Sequence, residues 1–352
     1  MQSCGKNIFY VGTYSENIYV MELDKEKEEL HILNRAGHCN KPSYLCIHAG
    51  GKYLYANNEI SNGLGGVSAY DISDKLAPRH INSITFNTSG PCHISLSEDQ
   101  HTLLSASYAD GIVYTNPVNP DGSLSSCSAV IRHENGDPLR KGIVPGSQSQ
   151  ARAHFIRQVP GTRYVLATDL GADRVYVYIL EEGNLYAHSV MQTASGAGPR
   201  HLEIHPYGNT IYLINELNNM VNVLCFNKST GILNSIQQLS ALPHDFKGTS
   251  YCSAIHISKD GRFLYGANRG CDSIAVFIIN EKDYNLASAG FMTLPQKTPR
   301  DFAIDPSGKY MLVGNLDSDS VSLCRISAGT GMPEIINHIG GIEKPSSFQF
   351  ID

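Results

Sequence analysis

Tryptophan is absent from the 352 residues, which excludes any repeat built on a Trp-Asp dipeptide. No apolar run approaches the ~18 residues that a membrane span needs. Basic clusters are missing as well. With 27 Lys and Arg against 33 Asp and Glu, the net charge of −6 argues against nucleic acid as a partner. The nine cysteines form no CxxC pair, and their scatter fits reduced thiols, not a disulfide frame or a zinc site. Cys46, Cys225 and Cys324 fall inside apolar strands, where cysteine behaves as a small hydrophobe. There is no Gly-rich phosphate loop, HExxH, GxSxG or metal-spaced His/Cys set, so the expectation is no cofactor and no metal. The start, Met1-Gln2-Ser3-Cys4-Gly5-Lys6-Asn7, runs straight into a strand without a signal-peptide core, which predicts a cytoplasmic protein.

What is present is a sentence spelled out repeatedly. Arg300-Asp301-Phe302-Ala303-Ile304, a Pro306-Ser307-Gly308-Lys309 turn, then Tyr310-Met311-Leu312-Val313-Gly314-Asn315 reads as a β-hairpin. The same pattern begins at Pro42, Pro91, Arg152, Pro199 and Ser253. A third alternating strand follows most hairpins, such as Met220-Val221-Asn222-Val223-Leu224-Cys225-Phe226, and a weaker fourth leads on. Four strands every ~45 to 60 residues is the period of a β-propeller blade. Lys344-Pro345-Ser346-Ser347-Phe348-Gln349-Phe350 is half a hairpin with nothing after it, and Asn7-Ile8-Phe9-Tyr10-Val11-Gly12-Thr13-Tyr14 the other half with nothing before it. Joined, they make a seventh blade and leave no open sheet edge. The expectation is all-β: one domain over 1–352, a seven-bladed propeller of four-stranded antiparallel blades, closed by both termini. Ile131 to Gln150, with Gly136, Pro138, Gly142, Pro145 and Gly146, should form a loop over one face.

Residues equidistant from a hairpin turn face each other. Centring the fourth hairpin on Gly208/Asn209 pairs His201 with Glu216. The same spacing pairs His154 with Asp169, Tyr44 with Glu59, His93 with Tyr108, Ala254 with Arg269 and Asp301 with Leu316. With the first strand innermost, all hairpin mouths converge on one end of the central channel. That rim carries Tyr14, Glu59, Tyr108, Asp169, Glu216, Arg269 and Leu316, with His154, Arg200, His201 and Arg300 from strand starts. Such a concentration of charge at a concave mouth suits anion binding and acid/base work. The bland alternatives are simple pairing of Asp169 and Glu216 with arginines, and hydrogen-bonded strand histidines at His93, His201 and His256, with His201 retained as a substrate contact. His154 is better placed, because Asp169 opposite would fix its tautomer. The acidic run Glu22 to Glu29 reads as a solvated turn.

Gly198-Pro199-Arg200-His201, Asn215-Glu216-Leu217, Ala254 to Tyr265 and Asn268-Arg269 closely resemble the seven-bladed propeller lactonase family. That family includes the propeller-type 6-phosphogluconolactonase of bacteria and the fungal carboxy-cis,cis-muconate cyclase, and the likeness covers essentially the whole chain. The resemblance implies catalytic roles for His154, Arg200, Glu216 and Arg269. There is also a departure: the family commonly has a second His where this chain has Arg152, a change expected either to alter the charge preference for substrate or to reduce activity. The expected activity is hydrolysis of a sugar lactone, 6-phosphogluconolactone first, by a carboxylic-ester hydrolase of carbohydrate metabolism and the pentose phosphate pathway. His154 or Glu216 would be the base and Asp169 the orienter of His154. Arg200 and Arg269 would hold the oxyanion or anionic group, with Arg300, Arg152, His201, Tyr14, Glu59 and Tyr108 as substrate contacts. Three alternatives stand beside it: a muconate-type lactonising cyclase, a calcium-assisted lactonase using Glu59, Asp169 and Glu216, and a non-enzymatic binding scaffold. The expected partner is a small anionic lactone, with no nucleic acid and no membrane, for a monomer or weak homo-oligomer.

Overall fold

A computed structural model of the chain describes residues 6–37, 39–60, 63–136 and 142–351. The opening Met1 to Gly5, with Cys4, lies outside those residues, as does Pro138. The strands form seven four-stranded antiparallel sheets, each running outward in chain order from an innermost strand. Blades 1 to 6 have innermost strands Leu45–Ile47, His93–Leu96, Ala153–Gln158, Pro199–Ile204, Tyr251–Ile257 and Pro299–Ile304. Blade 7 takes Pro345–Phe350 as its innermost strand and Lys6–Thr13 as its second, so both ends of the chain close the ring. Among the described residues the one helical turn is Leu316–Ser318, and no helix is long and apolar enough to cross a membrane.

The strands next to the axis are apolar on both faces because both faces are covered. Ile211 and Leu213 pack towards blade 3, while Tyr212 and Ile214, on the other side of the same strand, pack towards blade 5. Seven apolar clusters result among the described residues, one between each pair of neighbouring blades. Fully burying one such Leu, Ile or Phe contributes roughly 1.5–3 kcal/mol, so the ring is held by the sum of its interfaces. Tyrosines staple the same interfaces. The hydroxyls of Tyr10, Tyr55, Tyr212 and Tyr265 donate to the carbonyls of Lys75, Gly122, Tyr284 and Gly331 in the next blade's outer turn. Each is a buried ring whose polar tip has found a partner.

Two expectations need adjustment here. Ile131 and Arg132 belong to the outermost strand of blade 2, Ala129–Arg132, so the loop over the mouth begins only at His133. Cys225 is exposed on the third strand of blade 4, and Cys46 is half-buried, whereas Cys324 is core.

At the seam, Phe9 pairs with Phe350, Val11 with Phe348 and Gly12 with Ser347. A Cβ on Gly12 would stand 2.4 Å from Ser347 Oγ and 2.5 Å from the Pro42 carbonyl, so the two blades meet backbone to backbone there. Gly12→Ala should therefore destabilise the ring by about 1–3 kcal/mol, the usual cost of overpacking, seen as a lower urea midpoint at unchanged slope. An unchanged midpoint would mean that the seam is not closed as described.

Candidate active site

The innermost strands do not start regularly. Register shifts fall between Ala153 and Phe155, Pro199 and His201, Cys252 and Ile255, Pro299 and Asp301, and opposite Gly12/Thr13 in blade 7. In blades 1 and 2 the shift falls at Ser43 and Cys92, where the Asn57 and Cys92 amides bond the Tyr44 and Ala106 carbonyls. A β-bulge leaves one residue outside the ladder and re-aims its side chain. The extra residues are Ser43, Cys92, His154, Arg200, Ser253, Arg300 and Ser346, one from each blade, around one mouth of the channel. Proline precedes Ser43, Cys92, Arg200, Arg300 and Ser346; lacking an N–H, it suits the first residue of an edge strand. A second ring follows the ends of the second strands: Tyr14, Glu59, Tyr108, Leu170, Glu216, Arg269 and Leu316.

Where the two rings meet, their charges lock together. Glu216 Oε2 accepts from Arg200 Nε at 2.9 Å and from an Arg269 terminal nitrogen at 2.8 Å. Arg200 also donates to the Ser253 carbonyl at 2.6 Å, and Arg269 to that of Cys252 at 2.9 Å. Arg300 donates to the Tyr14 hydroxyl at 2.7 Å and lies over its ring. Glu59 accepts from Ser43 and sits beside Tyr14, Arg300 and Arg200. Burial raises the Glu216 carboxyl, but Arg269, Arg200 and Arg300 outweigh it and hold the group below its ordinary range. For Glu59 burial prevails over Ser43 and Arg300, and its carboxyl is pushed up. Burial, with Arg300 and Arg269 alongside, pushes Arg200 down to about 10 despite Glu216, and burial pushes Tyr14 up to about 12.

His154 is 3% exposed and meets the Tyr108 ring edge-on at 5.6 Å. Burial first, then the charges of Arg200 and Arg300, hold it well below the ordinary imidazole range, so it is neutral at pH 7. Its Nδ1 is buried without a partner among the described residues. Cys92 is also in the mouth, but its thiol donates towards the carbonyls of Ala106, Ala153 and His154, and burial pushes it up. It is a thiol, not a thiolate nucleophile.

Of the expected site residues, the structure brings together His154, Arg200, Glu216, Arg269, Arg300, Tyr14, Glu59 and Tyr108. Asp169 is not with them. It occupies the position of Asn215 and Asn268 in other blades, fully buried below the rim, and Leu170 takes the rim position. Its carboxylate accepts from His133 Nδ1 at 2.7 Å and from the amides of Arg152 and Ala172 at 2.7 and 2.8 Å. It therefore does not orient His154, and the carboxylates of Glu59, Asp169 and Glu216 form no shared calcium cage. His201 lies one layer deeper in the channel, with its ring 5.2 Å from His154. Arg152 is at the outer edge, over the Tyr108 ring at 4.7 Å and bonded to the carbonyls of Ser147 and Gly146. The other pairings expected across the hairpins are displaced too: Glu216 bonds the Gly198 carbonyl, not His201, and Arg269 opposes Tyr251, not Ala254. Tyr44, His93 and Asp301 likewise oppose Asn57, Ala106 and Gly314. His133, a sequence-silent residue, and the bulge position itself were missed. The Pro-X step at strand starts is the signal that marks the bulge.

At the far end of the channel His256 donates to Glu203 Oε1 at 2.9 Å and to Asp301 Oδ1 at 3.0 Å, while Arg157 pairs with Glu203 at 3.3 Å. Burial opposes a charge on His256, but Asp301 and Glu203 outweigh it and push it up to about 10. Donation from both nitrogens needs the imidazolium.

The "Lactonase, 7-bladed beta-propeller" family model matches residues 8–350. The 6-phosphogluconolactonase of Bacillus subtilis is 35% identical over 351 residues, covering 98% of this chain and 99% of the relative. An uncharacterised protein of Lactococcus lactis is 32% identical, with 92% of each chain covered. Among solved structures, the periplasmic gluconolactonase of Pseudomonas aeruginosa superposes with a TM-score of 0.92 at 28% identity, covering 99% of both chains.

A raised His256 contributes stability that is fully present below the unfolded imidazole's pKa of ~6.5. That contribution is lost as pH climbs towards about 10. His256→Phe should therefore lose more stability relative to the parent at pH 6 than at pH 10, measured by urea unfolding. A difference independent of pH would show that the imidazole is not held charged.

Proposed function

The chain belongs to the seven-bladed β-propeller lactonase family, and from that membership we propose that it hydrolyses a sugar lactone bearing an anionic group. 6-Phosphogluconolactone, giving 6-phosphogluconate, is the leading candidate. The observation that carries this reading is the convergence of three guanidiniums, Arg200 buried and Arg269 and Arg300 half-buried, on a mouth where, among the described residues, Glu216 alone accepts directly from two of them. Arg300 is raised because Tyr14, Glu216 and Glu59 outweigh the effect of burial, so it stays cationic. Three fixed cations suit an oxyanion and a phosphate at once.

Glu216 spends its lone pairs on two arginines and is held as a carboxylate, so its role is to set both forks at their working angle. His154, kept neutral, is the base. It takes a proton from water as the oxygen attacks the lactone carbonyl; Arg200 and Arg269 steady the negative oxygen of the tetrahedral intermediate. Collapse breaks the bond to the ring oxygen, which leaves with the proton returned by His154. Arg300, anchored by Tyr14, faces the anionic substituent. Glu59, its carboxyl pushed up by burial, places a second proton-exchanging group beside the cations, and this observation favours a muconate-type lactonisation as the alternative chemistry. The eight described cysteines are all free, which supports a reducing, cytoplasmic setting.

His154→Ala should lower kcat by 10²–10⁴, the usual contribution of a positioned base. Glu216→Gln should cost about 10- to 100-fold in kcat/KM through the loss of charge-assisted bonds worth roughly 1.5–3 kcal/mol. The acid limb of the kcat/KM profile should fall below the ordinary imidazole value of ~6.5, because His154 resists protonation. A pH-stat assay on 6-phosphogluconolactone, corrected for spontaneous hydrolysis, measures all three. Parent-like rates in both folded variants would remove these roles.

A further inference from the structure

Beneath the arginine mouth four rings cross the channel. Tyr44 and His93 lie 4.3 Å apart, His93 and Phe155 4.2 Å, Phe155 and His201 5.4 Å, and Tyr44 and His201 close the circuit at 6.1 Å. On the far side of this layer, at the end where the hairpin turns lie, is a cavity of about 500 Å³ lined by these rings together with Ser95, Arg157, Glu203 and His256. A contiguous hollow of about 410 Å³ adds Asp301, and both reach Gln349.

The charges here satisfy one another. Glu203 and Asp301 carry two negative charges, His256 and Arg157 two positive, and every one is in an ion pair. An ionic ligand would have to break that set. The groups left over are neutral. His93 is 2% exposed, and its Nδ1 accepts from the Ile156 amide at 3.3 Å, so its proton is on Nε2, which has no protein partner among the described residues. His201, 5% exposed, has no hydrogen bond from either ring nitrogen among the described residues, and the Tyr44 hydroxyl has none either. Three neutral hydrogen-bonding groups without a protein partner among the described residues thus line one cavity, beside the rings of Tyr44 and Phe155.

We infer that the turn end of the channel is a second binding site, for an uncharged cyclic polyol of the sugar class, separated by the ring layer from the arginine mouth. Hydroxyls would pair with His93 Nε2, the His201 ring and the Tyr44 hydroxyl. The C–H face of the ligand would rest on Tyr44 and Phe155, where apolar contact and hydrogen bonding are offered together.

The test is calorimetric titration of D-glucose into the full chain, the variants Tyr44→Phe and His93→Phe, and Arg200→Gln. Lactone hydrolysis by the first two variants serves as the check that they are folded. Glucose should bind the parent, bind Tyr44→Phe and His93→Phe about fivefold more weakly or worse, as expected for one lost hydrogen bond of ~1 kcal/mol, and bind Arg200→Gln unchanged. Saturating 6-phosphogluconate should leave glucose affinity unaltered. Absence of glucose binding to the parent overturns the inference. Competition by 6-phosphogluconate, or loss of binding in Arg200→Gln alone, overturns it equally by putting the sugar in the other mouth. Because glucose binding is read separately from hydrolysis, an inactive but glucose-binding parent would count against the proposed reaction and not against this site.

Discussion

One carboxylate shared by two arginines sets the terms for the rest of the molecule. Glu216, Arg200 and Arg269 come from neighbouring blades and are nearly withdrawn from water. Taking such charges out of solvent costs several kcal/mol per ion, which only close geometry and further hydrogen bonds offset. The carbonyls of Ser253 and Cys252 supply those bonds from the next innermost strand. A third guanidinium, Arg300, is brought into the same space with no carboxylate in direct contact among the described residues. The mouth is thus left with cation in excess, and burial, reinforced by the charges of Arg300 and Arg269, pushes Arg200 down to about 10.

A ring of seven blades is what makes this arrangement affordable. Each innermost strand is buried between two neighbours, and a change in the angle of one blade would have to compress an apolar interface on either side. The strands deliver equivalent positions to equivalent heights, and the bulges at their starts turn one side chain per blade towards the axis. The two ends of the channel then diverge in chemistry because different residues of the repeat reach them. At the strand starts arginine is in excess; at the turn end Arg157, Glu203, His256 and Asp301 cancel. The rings of Tyr44, His93, Phe155 and His201 keep the two apart.

The architecture was legible because it is periodic. Hairpin after hairpin repeats the same apolar strands around a turn, and the unmatched halves at Asn7 and Lys344 show how the circle closes. Six of the seven rim positions were legible for the same reason, since the end of each second strand is equivalent in every blade whatever the register; in blade 3 the rim position is Leu170, one residue beyond Asp169. Pairing was not. The His205 amide bonds the Thr210 carbonyl, which centres that turn between Tyr207 and Gly208, one residue earlier than Gly208/Asn209. A turn displaced by one moves every facing pair by two. In blade 3 the turn centre was right, yet the bulge at His154 still separates it from Asp169, which faces Ala153 instead. Bulges are invisible to alternation, because an extra residue changes the period at only one point. His133 was missed since it follows a weak outer strand, and only the fold carries it inward to Asp169.

The central claim is that the arginine mouth, and not the cavity at the opposite end of the channel, receives the anionic substrate. A crystal structure of the chain soaked with 6-phosphogluconate tests it most directly. The account predicts the product at the strand-start end of the channel, with its phosphate and carboxylate oxygens bonded among Arg200, Arg269 and Arg300. Product held at the turn end, or oxygens that avoid all three guanidiniums, would contradict it.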